Sequence, residues 1–155
     1  MTFDHLRDAQ GRIDPRRFFD EHWGAEPFHR KIGLEFVEAD AEAGTAVLRL
    51  PFRPDHLNST EPAGAGIHGG IIATLIDATA PFALCIRTGN IELATANMRV
   101  DYLAWTGHAT LTAFGRVLRI GRTISVTDCR VEDDRGRLCA VGRVTFAALP
   151  SRKTG

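Results

Sequence analysis

His68, Gly69 and Gly70 stand at the head of a long apolar run, and Asp77 interrupts that run nine positions after the histidine. Ionisable groups are rarely enclosed among apolar side chains without a partner or a purpose. Asp77 therefore reads either as a working carboxylate or as a helix-surface or interface residue with an ordinary hydrogen bond. The two glycines read either as a tight loop-to-helix junction or as a place where a ligand approaches the backbone closely. The first N–H groups of a helix lack intrahelical acceptors, and such donors can hold a developing oxyanion.

The elements that must position these residues follow from patterning. From Gly69 to about Arg87 the chain is apolar nearly all round, with Ile71, Ile72, Leu75, Ile76, Ala80, Phe82, Ala83 and Leu84, as in a helix enclosed by other structure. Pro81 removes the N–H that would bond the Asp77 carbonyl, which predicts a kink. Upstream, Asp14 and Pro15 mark a helix start, and Phe18, Phe19, Trp23 and Phe28 give that helix an apolar face for core packing or for a substrate lid. The runs FVEAD and TAVLRLPF between residues 32 and 52 read as a hairpin turning at Ala43 and Gly44, and residues 53 to 67 read as a loop. Four more strands are expected over about 92–103, 108–119, 122–132 and 137–148, in one antiparallel sheet. Strict alternation sets Ala94, Ala96, Met98, Val100 and Tyr102 on one face and Thr95, Asn97 and Arg99 on the other. The expected class is α+β, an antiparallel sheet wrapped around a central α-helix in a single domain over 1–155, with a helical extension over about 1–30.

Composition removes several function classes. Lys plus Arg (19) balances Asp plus Glu (19), and no basic run carries interleaved aromatics, so nucleic acid is not the expected partner. The start, MTFDHLRDAQGR, lacks the basic-then-apolar order of a signal peptide, and Asp77 and Pro81 interrupt the longest apolar stretch. A cytoplasmic protein without a membrane partner is expected. Cys85, Cys129 and Cys139 are odd in number and lack CxxC spacing, which argues for reduced thiols even where Cys129 and Cys139 could face each other across a hairpin. No histidine pair has metal-ligand spacing, so no metal is expected.

The segment HGGIIATLIDATAPFAL at 68–84 resembles the hotdog thioesterases of the phenylacetate-pathway type, in the superfamily of 4-hydroxybenzoyl-CoA thioesterase. The likeness continues through NMRVDYL at 97–103, LRIGRT at 118–123 and DRGRLCAVGRVTF at 134–146, roughly residues 30 to 148. It implies a hotdog fold and hydrolysis of an acyl-CoA thioester, with coenzyme A as part of the substrate and no separate cofactor. Carried over residue by residue, it implies that the Gly69 N–H polarises the thioester carbonyl, that Asp77 attacks it or activates water, and that His68 supports the loop, with Gly70 beside the substrate. Thr95 falls where the family has a hydroxyl that places the acid or its water. The family's asparagine lies about six residues before the histidine; here Pro62 holds that spacing and Asn58 lies four residues further back, in a longer loop that could still deliver it. Arg119 and Arg122, beside Gly121, match positions that meet the coenzyme A phosphates, whereas AlaTrpThrGly at 104–107 departs from the family's ArgProAla.

Spacing adds an independent constraint. Eight residues of helix at 1.5 Å each separate Gly69 from Asp77 by roughly 12 Å along the axis. A nucleophile lies within about 3 to 3.5 Å of the carbonyl carbon and the donor about 3 Å from its oxygen, so the two groups must come from different chains. A homodimer or a dimer of dimers with two identical sites is expected. Two rival readings are a non-catalytic acyl-CoA-binding hotdog protein and a hotdog hydratase or dehydratase; the latter needs an Asp and His pair that this sequence does not show.

Overall fold

The computed structural model describes residues 4–61 and 63–149. The Asp14 carboxylate accepts the Arg17 N–H at 3.0 Å, and Pro15 opens α1 (Pro15–Phe18). The expected single helix then divides: a π-helical turn covers Phe19–Trp23, and α2 (Pro27–Ile32) starts at a second proline and ends on Gly33 at φ 76°. The division turns Phe18, Phe19 and Trp23 onto one target. All three rings, with Phe36, lie within 6.1 Å of the Phe82 ring. These aromatics are core packing.

Six strands follow: β1 (Glu35–Asp40), β2 (Thr45–Leu50), β3 (Leu93–Tyr102), β4 (Leu111–Arg119), β5 (Ile124–Glu132) and β6 (Leu138–Ala148). They form one antiparallel sheet in the order β1-β2-β4-β5-β6-β3, and the helix α3 (Gly69–Thr88) lies across its apolar face. Sheet residues Gly115, Cys129 and Gly142 stand in one cross-strand row beneath it. A Cβ on Gly142 would come within 2.8 Å of the Ile76 side chain, and one on Gly115 within 3.2 Å of Thr79. The row of small residues is therefore the groove in which the helix is seated.

α3 passes through Pro81 without ending. The Trp23 indole N–H donates to the Ala78 carbonyl at 3.0 Å, and the rings around Phe82 hold the next turn, so packing carries the helix past the missing N–H. By length and composition α3 could cross a bilayer, yet 61% of its most apolar window is buried in this fold. Cys129 stands opposite Gly142 rather than Cys139, and all three cysteines are free and buried. Burial pushes the thiols of Cys85 and Cys129 up to about 12, so both are inert structural side chains.

Candidate active site

At the N-terminus of α3, His68 is the capping residue: its Nδ1 accepts the Gly70 N–H at 2.9 Å. A Cβ on Gly70 would sit 3.0 Å from that nitrogen, so glycine keeps the cap open. The Gly69 N–H belongs to the first helical residue, which has no acceptor within the helix. The loop before it is anchored on both sides. His68 N–H donates to the His56 carbonyl at 2.8 Å, Ile67 N–H to Thr106 Oγ1 at 3.2 Å, and the Trp105 indole lies so close over Gly66 that a Cβ there would meet it at 2.7 Å.

Asn58 reaches this end of the site despite its displaced position. A β-bridge pairs Leu57 with Ile67, so the extra loop residues are looped out and Asn58 stands opposite Gly66. Asn58 N–H donates to the Gly66 carbonyl at 3.0 Å, and its side-chain oxygen accepts the Gly66 N–H at 3.3 Å. Pro62 lies outside the described residues.

Two turns further along α3, half-buried Asp77 meets Thr95 of β3, whose hydroxyl donates to Oδ1 at 2.9 Å. Strict alternation misplaces Thr95. A bulge between Thr95 and Asn97 inserts one residue into the ladder with β6, which turns Thr95 onto the helix side with Met98 and Val100 and leaves Arg99 on the other. One oxygen of Asp77 is thereby fixed, and the other has no hydrogen-bond partner among the described residues. Arg119 ends β4 and Arg122 lies in the turn to β5, both exposed. That turn belongs to the Thr95 end of the sheet, because Thr95, Phe146 and Ser125 stand side by side and Gly121 N–H donates to Ser125 Oγ.

Tyr102 was not foreseen: its hydroxyl donates to the Gly69 carbonyl at 2.8 Å. A phenol bonded to a backbone carbonyl 33 residues away leaves no spacing pattern. Trp105 and Thr106 escaped for the same reason, although their departure from the family pattern had marked the segment. Among the described residues, no group of three or more His, Cys, Asp or Glu side chains converges on a possible metal position.

A helix wrapped by an antiparallel sheet, with an acid in mid-helix and a glycine pair at its start, defines the hotdog class. A family model described as the thioesterase superfamily matches residues 65–140. A crystallised thioesterase-superfamily protein is 32% identical, over 86% of this chain and 94% of that one, with a TM-score of 0.74. A Halobacterium salinarum protein named "putative esterase" is 32% identical over 118 residues, covering 69% of this chain and 76% of that one. The PaaI protein of E. coli, from the phenylacetic acid degradation operon, is 17% identical over 96% of this chain and 97% of that one, and its TM-score of 0.75 shows the shared fold. The chain belongs to the thioesterase superfamily.

Proposed function

We propose that the protein is a homo-oligomeric thioesterase that cleaves acyl-CoA to free acid and coenzyme A at two sites, each built from two chains. The observation that carries the reading is the Asp77–Thr95 pair, set two turns along the helix whose first N–H has no acceptor within the helix. Separated by roughly 12 Å, donor and acid serve one carbonyl only when a second chain supplies the acid.

β3 supplies a route to that assembly. It bonds β6 on one side and, among the described residues, has no strand on the other. Antiparallel pairing with its own copy, centred on Arg99 and with the bulge at Ala96 kept in both chains, sets Tyr102 of one chain opposite Thr95 of the other. That register brings the Gly69 end of one α3 over the Asp77 of its partner. Each site then holds the Gly69 N–H on the thioester oxygen and the free Asp77 oxygen near its carbon. Asp77 draws a proton from water as the hydroxyl adds to the carbonyl carbon; the tetrahedral oxyanion is held by Gly69, and its collapse breaks the C–S bond and returns the proton to the thiolate. Arg119 and Arg122 stand at the Thr95 end, where they can meet the coenzyme A phosphates.

The test is thiol release from a panel of aromatic and medium-chain acyl-CoA thioesters, followed by subunit mixing. Asp77→Asn and Gly69→Pro chains should each be nearly inactive, and co-refolded dimers should regain activity at the one site that receives both intact groups. A folded protein that binds but never cleaves any acyl-CoA is a binder instead. Exchange of subunits without recovery places both groups in one chain. Single-turnover hydrolysis in ¹⁸O-water should leave Asp77 unlabelled; label in its carboxylate makes it the nucleophile.

A further inference from the structure

We propose that Tyr102 is a positioning residue, whose hydroxyl acts through the Gly69–Gly70 peptide to hold His68 as its Nε2–H tautomer and to fix the oxyanion-donating turn of α3. The catalytic part of this proposal rests on the thioesterase reading; the tautomer part does not.

Three groups form one chain of hydrogen bonds. Tyr102 donates to the Gly69 carbonyl at 2.8 Å, and the N–H of that same peptide group, borne by Gly70, donates to His68 Nδ1 at 2.9 Å. A neutral imidazole carries one proton, so an Nδ1 that accepts leaves the proton on Nε2. Donation to a carbonyl draws charge from its amide and makes the amide N–H a stronger donor, and successive bonds polarise one another in this way. The phenol thus strengthens the histidine cap from the far side of the peptide.

The geometry is close as well as bonded. A Cβ on Gly69 would lie 3.3 Å from the Tyr102 ring, so the ring lies flush against the first helical residue. Pinning the Gly69 carbonyl to β3 and the Gly70 N–H to His68 fixes the peptide plane that follows the Gly69 N–H. That donor is then aimed before substrate arrives. His68 is exposed and its Nε2 has no acceptor among the described residues, so it faces outward as a second donor. Tyr102 also stands at the end of β3 opposite to Thr95, so one strand orients both halves of the chemistry.

Tyr102 is the chain's single tyrosine, which permits a graded test. Tyr102→Phe keeps the ring and removes the donor, while 3-fluorotyrosine, incorporated at this position alone, makes the donor stronger. The readouts are the Gly70 amide proton shift, the His68 ring ¹⁵N shifts, identified by their loss in His68→Gln, and steady-state kinetics. Wild type should show Nδ1 unprotonated and Nε2 protonated. Tyr102→Phe should move the Gly70 proton upfield, reduce the Nε2–H population and lower kcat about five- to tenfold at unchanged KM, the size of one hydrogen bond. Fluorotyrosine should move the Gly70 proton downfield. A wild-type Nδ1–H tautomer, a Gly70 shift that ignores both substitutions, or a rise in KM at constant kcat overturns the proposal. Expected spectral shifts in a protein that hydrolyses no thioester leave the relay standing and remove the function instead.

Discussion

The two halves of α3 are held by different physics. The first half, from Gly69 to Asp77, is tied at its ends by directional hydrogen bonds: the His68 cap, the Tyr102 hydroxyl on Gly69 and the Thr95 hydroxyl on Asp77. The second half is held by packing, with Phe82 inside a collar of Phe18, Phe19, Trp23 and Phe36. Directional bonds fix orientation at modest net stability, about 0.5–1.5 kcal/mol each, whereas burying an aromatic ring contributes several kcal/mol without aiming anything. The helix thus separates aim from anchorage. Substitutions of the hydrogen-bonding groups at the two ends of the first half should change rate with little effect on stability, and those in the aromatic collar of the second half should do the reverse.

Asp77→Asn is the strongest test on the first side. The amide is nearly isosteric and its oxygen can still accept the Thr95 hydroxyl, so folding should be preserved. Turnover should fall roughly 10² to 10⁴-fold, the range of a positioned acid or base. Steady-state turnover beside a thermal melt checks both halves of the statement. Wild-type turnover removes Asp77 from the chemistry, and a large drop in melting temperature makes it a structural residue.

Phe82→Ala is its counterpart. Phe82 is fully buried, so truncation should destabilise the fold by about 3–5 kcal/mol in a urea titration. At 10 °C in the absence of denaturant the folded fraction should retain turnover within a fewfold of wild type. If the surviving folded protein is as inactive as Asp77→Asn, the two halves are not separable.

Thr95→Ala sharpens the comparison. It removes one hydrogen bond to a charged group on an exposed strand residue, so turnover should drop about tenfold, with less than 1 kcal/mol lost in stability. Thr95→Ser should recover most of the rate. A serine variant as slow as alanine shows that the β-branched methyl, rather than the hydroxyl, is what matters.

Legibility in the sequence follows the same division. The long helix could be read because its apolar residues run all round it, and the glycine pair with its acid stood at a spacing that could be recognised. What escaped was set by pairings distant in sequence. The bulge at Thr95 depends on register against β6, so period-2 counting put the hydroxyl on the wrong face. The continuation of α3 beyond Pro81 was not legible, because the sequence does not show that Phe18, Phe19, Trp23 and Phe36 close around Phe82. The approach of Asn58 to Gly66 depends on the Leu57–Ile67 bridge, which spacing along the chain does not show.

The smallest predicted effect concerns His56, which supports the aiming half from behind. Its carbonyl accepts the His68 N–H at 2.8 Å, while its ring is 2% exposed and neither ring nitrogen makes a hydrogen bond among the described residues. Burial lowers its pKa from the ordinary 6.5; the Asp55 carboxylate and the Ile32 carbonyl oppose the shift, the latter without reaching hydrogen-bond geometry, and Arg53 adds to it. A histidine with a depressed folded pKa binds its proton more readily when unfolded. Its contribution to stability is therefore complete above about pH 6.5 and is lost progressively as pH falls below that value. His56→Leu, similar in volume, removes both the titration and the two unpaired nitrogens. At pH 8 the variant should be as stable as wild type or more so, since unpaired buried polar atoms carry a desolvation penalty. Between pH 8 and pH 5.5 wild type should lose more melting temperature than the variant, and because the other five histidines are common to both, the difference belongs to position 56. Equal losses would show that the folded protein accommodates a proton on His56, and that the loop behind His68 is more open to water than its burial implies.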